Sequence, residues 1–189
     1  MNIASATPAS VAASPAAVAA ASDVIITCVS DTPDVEKIIL GETGVLHGAA
    51  PGTIVVDMST VSPSATRRIA ERLGEKGVHM LDAPVSGGSE GAQKGTLSIM
   101  VGGEEVDLIK VRPVLEAMGK TITLLGPIGA GQVTKAINQT ILAATYLGVA
   151  EGMVLAMKSG LDATHVAEVL AGGAAGSWVL QNRAGRMID

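Results

Sequence analysis

The sequence predicts an α/β protein: an open, mainly parallel sheet covered by helices, with later strands added, followed by one long helix and several shorter ones. Three observations predict it. Up to Pro84, short apolar runs rich in Val and Ile alternate with amphipathic stretches, and a helix between successive strands forces parallel pairing and covers both sheet faces. After Pro84 the texture changes and glycines crowd the chain. From residue 132 to 158 no proline interrupts helix-compatible sequence. The chain has 189 residues, 48% hydrophobic and 16% charged, which suffices for a sizeable core and excludes a disulfide-stapled miniprotein or a disordered chain. Phe is absent, and Tyr146 and Trp178 are the only aromatics, so packing must come from aliphatic side chains and close backbone approach.

Residues 1–22 contain no Lys or Arg and no Leu-rich segment, so they read as neither a secretory leader nor a membrane span. Ser14 followed by Pro15 predicts a helix over 14–21, capped by the serine hydroxyl, with the earlier residues loose. DVIITCVS at 23–30 reads as a buried strand running into the polar DTPD segment. A short amphipathic helix at 35–40, the strand TIVVDMS at 53–59, a helix at 64–76 and the strand VHMLDAP at 78–84 repeat that order.

The stretch SGGSEGAQKGT at 86–96 reads as a Gly-rich loop leading to the strand LSIMVGG, a helix over 104–118 and the strand TITLLG, none of which needs to be parallel to the others. Within 132–158, Val133, Ile137, Ile141, Ala144 and Leu147 form one stripe, with Val154 and Leu155 further along. That helix would be roughly 40 Å long. Gly160 ends it, a helix runs from 162 or 163 to 170, AGGAAGS is a loop, and a last helix covers 178–187.

A formal net charge of −5, with no clustered Lys/Arg face and no aromatic platforms, excludes a nucleic-acid surface. Cys28 is the single cysteine, so there is no disulfide framework, and a reducing cytoplasm is the default compartment. His47, His79 and His165 lack metal-ligand spacing, and no metal is expected.

Ligands of open parallel sheets lie beyond the carboxyl ends of the strands. Three polar loops fall there: Ser30-Asp31-Thr32, Ser59-Thr60 and Ser86-Gly87-Gly88. Helix caps and turns call for the same residues, but three loops in one topological position can line one cleft. Gly87 and Gly88 allow backbone N–H groups to converge on an anion beside the Ser86 hydroxyl, with a carboxylate as the natural guest and a flexible turn as the rival reading. GPIGAGQVTK at 126–135 is neither a Walker loop, because Gln132 and Val133 stand where Lys and Ser/Thr are needed, nor a GxGxxG fingerprint, because Thr134 takes the third glycine position. Lys135, read as lying in the first turn of the long helix, is opposed by the helix dipole, which lowers its pKa and suits proton transfer. Asn138 and Gln139 share its side of the helix. The alternative is an exposed lysine beside exposed amides.

Two segments resemble family signatures. Asp82-Ala83-Pro84-Val85-Ser86-Gly87-Gly88, followed by Gly91-Ala92 and Gly95-Thr96-Leu97, resembles the substrate-binding signature of the β-hydroxyacid dehydrogenases. Gly129-x-Gly131-x-x-x-Lys135-x-x-Asn138-Gln139 resembles their catalytic signature. The family includes 3-hydroxyisobutyrate dehydrogenase, tartronate semialdehyde reductase and 6-phosphogluconate dehydrogenase. DTPDV at 31–35 and VVDMST at 55–60 are similar to its cofactor-side loops, and KxxNQ, AGGAAGS and RAGRMI are closest to the tartronate semialdehyde (2-hydroxy-3-oxopropionate) reductase branch.

The resemblance implies a partial Rossmann-like dinucleotide-binding domain over 1–131, then a long interdomain helix and the start of an all-α domain over 132–189. It implies reversible hydride transfer between NAD or NADP and a small 3-hydroxy acid or carboxylated semialdehyde. Lys135 would be the general acid and base. Ser86, Gly87 and Gly88 would hold the substrate carboxylate, and Asn138 with Gln139 would orient the hydroxyl and carbonyl groups. Val29, Ser30 and Thr60 would border the nicotinamide half of the cofactor.

The family's GxGxxG loop and ribose-recognising strand have no counterpart in residues 1–22, and its C-terminal continuation would lie beyond Asp189. Weakened cofactor binding follows, together with an exposed sheet edge and helix face that predict a homo-oligomer, dimer or tetramer. The alternative is an inactive fragment, or a non-catalytic dimerisation or small-acid-binding module. No nucleic-acid or membrane partner is expected.

Overall fold

The computed structural model describes residues 9–188. The looseness expected of the first residues falls partly outside that range; residues 9–12 carry no regular element. Helix α1 (Pro15–Ala19) is capped by Ser14, whose hydroxyl accepts from Ala17 N at 3.1 Å. Strand β1 (Val24–Thr27) follows, then α2 (Thr32–Leu40). This helix begins three residues earlier than its apolar pattern suggests, because Asp31 caps it and Pro33 sits in its first turn. A 3-10 turn (Val45–His47) leads to β2 (Ile54–Asp57), α3 (Pro63–Gly74) and β3 (His79–Asp82).

After β3 come a two-residue strand β4 (Val85–Ser86) and then, in place of the expected Gly-rich loop, a helix α4 (Gly88–Lys94). Gly87, Gly88 and Gly95 sit at its ends, and Gly91 lies buried within it. Gly87 at φ 134° reverses the chain into it, Gly95 in the left-handed region closes it, and the ion pair Glu90–Lys94 spans one turn between them. Strand β5 (Leu97–Gly102), α5 (Glu105–Glu116) and β6 (Gly119–Gly126) precede the 29-residue helix α6 (Ala130–Lys158).

The sheet is mixed in the way the change of texture anticipates. β1, β2 and β3 are parallel, in a register that aligns Thr27 with Asp57 and Asp57 with Asp82 at their carboxyl ends. β5 runs antiparallel to β3 and β4 and parallel to β6. Alternate side chains of a strand enter opposite faces. Val55 packs with Ile25, Val35, Ile39, Ile69 and Leu73 beneath α2 and α3, while Ile54 and Val56 pack with Leu81, Leu108, Val111 and Leu115 beneath α5. Each fully buried aliphatic side chain stabilises by about 1.5–3 kcal/mol, which is how a core without Phe is sustained.

The chain divides into two compact units between Lys135 and Ala136, within α6. In the second unit, α7 (Ala163–Ala171), α8 (Trp178–Arg183) and α9 (Gly185–Ile188) pack with Met153 and Ala156 around Ala163, Leu180 and Ala184. Gly160 at φ 75° ends α6, and the Asp162 carboxylate caps α7 through Thr164 N and His165 N. The single last helix expected over 178–187 is two, parted at Ala184 where Gly185, a weak helix former, opens the next turn. On α6, Ile137, Ile141, Leu147 and Leu155 of the apolar stripe are each more than half exposed, so the chain's own core takes only other residues of that segment. By length and composition α6 would also suffice to cross a bilayer.

Candidate active site

The site is built on Asp82. It is fully buried at the end of β3, and its carboxylate accepts from Gly129 N at 2.6 Å and from Gln132 N at 2.8 Å. These are two of the N–H groups that a helix start leaves without partners, so the strand end fixes where α6 begins. Burial pushes the Asp82 carboxyl above the ordinary carboxylate range, against the lowering effect of the Gly129 and Gln132 N–H groups, and Asp57 beside it pushes the same way as burial. Close approach makes this possible. A Cβ on Gly131 would run into Met100 O and Asp82, and one on Gly102 into Asp82 and the start of α6.

With α6 so fixed, Lys135 reaches back across the strand end. Its ammonium donates to Val85 O at 2.7 Å, one residue before the Ser86-Gly87-Gly88 turn. Lys135 lies in the second turn of the helix, since α6 starts at Ala130 and not at Gln132. Its pKa is lowered, as expected from the sequence, but the cause is burial of the half-buried ammonium. Ser86 is half-buried at the end of β4, while Gly87 and Gly88 are exposed with positive φ at the amino end of α4. The Ser86 hydroxyl and the N–H groups of Gly87 and Gly88 thus belong to the turn that follows Val85.

The other two loops lie at the neighbouring strand ends. Val29 N donates to Ser59 Oγ at 2.9 Å, and Ser62 N to Thr32 Oγ1 at 3.2 Å, which joins the loop after β1 to the loop after β2. Ser30 and Thr60 are exposed there. Buried Asp57 accepts from Thr27 Oγ1 and Ser59 N. Gln132 joins this pair of loops to the Asp82 end. Its side chain donates to Ser59 O at 2.8 Å and accepts from Val61 N at 3.0 Å.

Val29, Ser30 and Thr60 thus share one strand-end region, and Lys135 lies against the turn that carries Ser86, Gly87 and Gly88. Asn138 and Gln139 belong to the second unit, where Asn138 Nδ2 donates to Gln139 Oε1 at 2.9 Å. In the sequence Asp82 stands only as a strand end and the head of a family signature, and Gln132 only as a mismatch to a phosphate loop. The signal was there in an amide and a carboxylate set within apolar, glycine-lined sequence. Among the described residues no three His, Cys, Asp or Glu gather as a metal site. His79 Nδ1 meets Asp107 Oδ2 at 2.6 Å at the opposite end of β3.

The loops at the ends of β1 and β2 expose the hydroxyl groups of Ser30 and Thr60 beyond the carboxyl ends of the strands. Residues 1–40 of the sequence contain no glycine. On an open α/β sheet of Rossmann-like kind, this end is where dinucleotides bind.

Comparison with known proteins agrees. Residues 2–126 match the family described as the NAD binding domain of 6-phosphogluconate dehydrogenase, and residues 129–189 match the NAD-binding family of NADP-dependent 3-hydroxyisobutyrate dehydrogenase. The 2-hydroxy-3-oxopropionate reductase of Escherichia coli is 46% identical over 168 residues, 89% of this chain and 58% of that protein. An NAD-dependent L-serine dehydrogenase of Pseudomonas aeruginosa is 45% identical over 159 residues, 84% of this chain and 53% of that protein. The solved structure of Mycobacterium tuberculosis 3-hydroxyisobutyrate dehydrogenase with L-serine superposes with a TM-score of 0.81 at 38% identity, covering 89% of this chain and 57% of that one. The chain belongs to the β-hydroxyacid dehydrogenase family. It spans a little over half the length of the curated relatives it matches.

Proposed function

We propose that this chain carries the substrate and nicotinamide half of an NAD(P)-dependent dehydrogenase acting on a small 3-hydroxy acid or carboxylated semialdehyde, of the 2-hydroxy-3-oxopropionate or 3-hydroxyisobutyrate kind. Residues 1–131 act as a partial dinucleotide-binding domain, and 132–189 as the long interdomain helix and the start of an all-helical domain. One observation carries the reading: the Lys135 ammonium lies 2.7 Å from Val85 O, at the entrance to the Ser86-Gly87-Gly88 turn.

When bound, the nicotinamide supplies the hydride. Ser86 Oγ and the N–H groups of Gly87 and Gly88 hold the substrate carboxylate. Lys135 Nζ gives its proton to the carbonyl oxygen as the carbonyl carbon is reduced to the alcohol, and takes it back in the oxidation. Asn138 with Gln139 orients the hydroxyl and carbonyl groups, a role that rests on the family resemblance. Val29, Ser30 and Thr60 border the nicotinamide. NAD and NADP both suit this end of the site, because their distinguishing phosphate lies on the far ribose. The protein works in the cytoplasm as a homo-oligomer, dimer or tetramer. The exposed stripe of Ile137, Ile141 and Leu147 supports that reading, and the polar Asn138 and Gln139 on the same helix speak against a lipid partner.

NADH binding followed by fluorescence, together with NADH oxidation by the semialdehyde, tests the proposal. Wild type binds and turns over; Lys135→Ala binds NADH without turnover, and Ser86→Ala needs more semialdehyde. No binding at millimolar NADH would leave the alternative of a non-catalytic small-acid-binding or dimerisation module.

A further inference from the structure

A buried primary amide is costly unless every polar atom is paired. Gln132 is 1% exposed and pays no such penalty: Nε2 donates to Ser59 O, Oε1 accepts from Val61 N, and its backbone N–H donates to Asp82 Oδ2. The partners fix which way the amide points, because a carbonyl demands a donor and an N–H demands an acceptor. Ser59 and Val61 are the two neighbours of Thr60, so the amide grips the chain on both sides of that exposed residue. Lys135 follows one helical turn after Gln132. The residue that holds the loop after β2 is therefore also the one whose N–H is locked to Asp82 at the start of the lysine's helix. Packing alone would accept Met or Leu here, so filling space does not explain a glutamine.

We propose that Gln132 is a positioning residue that holds Thr60 and Lys135 in one fixed spatial relation, so that the nicotinamide side and the proton-transferring side of the site move as a unit. The inference deepens the functional reading above and rests on it for the roles of Thr60 and Lys135. Gln132 touches neither substrate nor cofactor and acts through these two residues.

The test is Gln132→Glu, read by hydrogen exchange of single amides at pH 5.5 and pH 8, each against wild type at the same pH. The protonated acid can donate to Ser59 O and accept from Val61 N as the amide does; the carboxylate is acceptor-only and faces Ser59 O with nothing to give. The charged groups around it are Asp57 and Asp82 at the ends of β2 and β3, Arg67 of α3 at the turn before α6, and Lys135 on α6 itself; the two aspartates favour the protonated form.

Wild-type protection is expected at pH 5.5. At pH 8 the carboxylate, repelled by Ser59 O, releases the loop, and Val61 and Lys135 should lose protection together, roughly tenfold, while Val55 and Val56 within the sheet keep theirs. Where turnover is measurable, KM for NAD(P)H should rise and kcat fall over the same pH interval. Loss at Val61 without loss at Lys135, uniform loss across the sheet, or no pH effect would each overturn the proposal. Should the glutamate variant fold at neither pH, Gln132→Met, which has no ionisable group, is read at a single pH for the same joint loss at Val61 and Lys135, and failure of both to fold would mark Gln132 as core alone and overturn it too. A wild-type chain that neither binds NADH nor turns over would sink the functional reading, while the exchange data still decide on Gln132.

Discussion

Lys135 and Val85 meet through one 2.7 Å hydrogen bond, although fifty positions separate them in the chain. The contact exists because Asp82, three residues before Val85, holds the start of the lysine's helix through Gly129 N and Gln132 N. Strand end, helix start and the Ser86-Gly87-Gly88 turn are thereby one structure.

Replacing Lys135 by Met should lower kcat about 10²–10⁴-fold, the usual worth of a positioned acid or base, with circular dichroism unchanged. In wild type, carbonyl reduction should fall as pH rises through the lysine's lowered pKa, because the acid form is needed, and alcohol oxidation should rise over the same interval. Rate against pH in both directions checks this.

Ser86→Ala removes one donor to a charged carboxylate. Such bonds contribute about 1.5–3 kcal/mol, so KM for the acid should rise roughly 10- to 150-fold, with KM for the dinucleotide unchanged. Equal effects on both would place Ser86 elsewhere in the mechanism.

Asp82 makes stability depend on pH in a direction opposite to that of most carboxylates. Its folded pKa is raised above the ordinary 3.8, so its contribution is fully present below 3.8 and is lost as pH rises through the folded value. Asp82→Asn lacks that dependence and turns an amide N–H toward Gly129 N or Gln132 N. The stability lost to the substitution should therefore be largest in acid and shrink as pH rises, measured by urea unfolding across the acid range.

Two glycine substitutions should act in opposite directions. Gly131→Ala forces a Cβ against Met100 O and Asp82 and should cost about 1–3 kcal/mol or more, as overpacking does, while displacing Lys135. Gly148→Ala, inside α6 with open space around it, should stabilise by about 1 kcal/mol. Thermal melts of both variants compare them directly.

Element types were legible where periodicity was strong. The apolar runs around Ile25, Val55 and Leu81 are strands, and the proline-free stretch after Gly131 is helical. The helix Gly88–Lys94 was hidden because Gly87, Gly88, Gly91 and Gly95 look like a loop to any reading of composition, whereas the structure uses Gly87 and Gly95 to enter and leave the helix and packs Gly91 under Leu97. Lys135 and the Ser86 turn stood out as motifs. The roles of Asp82 and Gln132 did not, because their partners, Gly129 for the first and Ser59 and Val61 for the second, are 47 to 73 residues away and nothing local announces such a bond.

Titrating the chain with 3-hydroxyisobutyrate while following the Lys135 side-chain nitrogen and the Gly87 and Gly88 amides by NMR asks whether one acid is held by both groups. All three signals should shift along a single binding curve, Lys135 should titrate at higher pH when the carboxylate is bound, and Ser86→Ala should weaken every shift together. Signals that follow different curves, or that stay still at millimolar acid while residues elsewhere respond, would contradict a shared site.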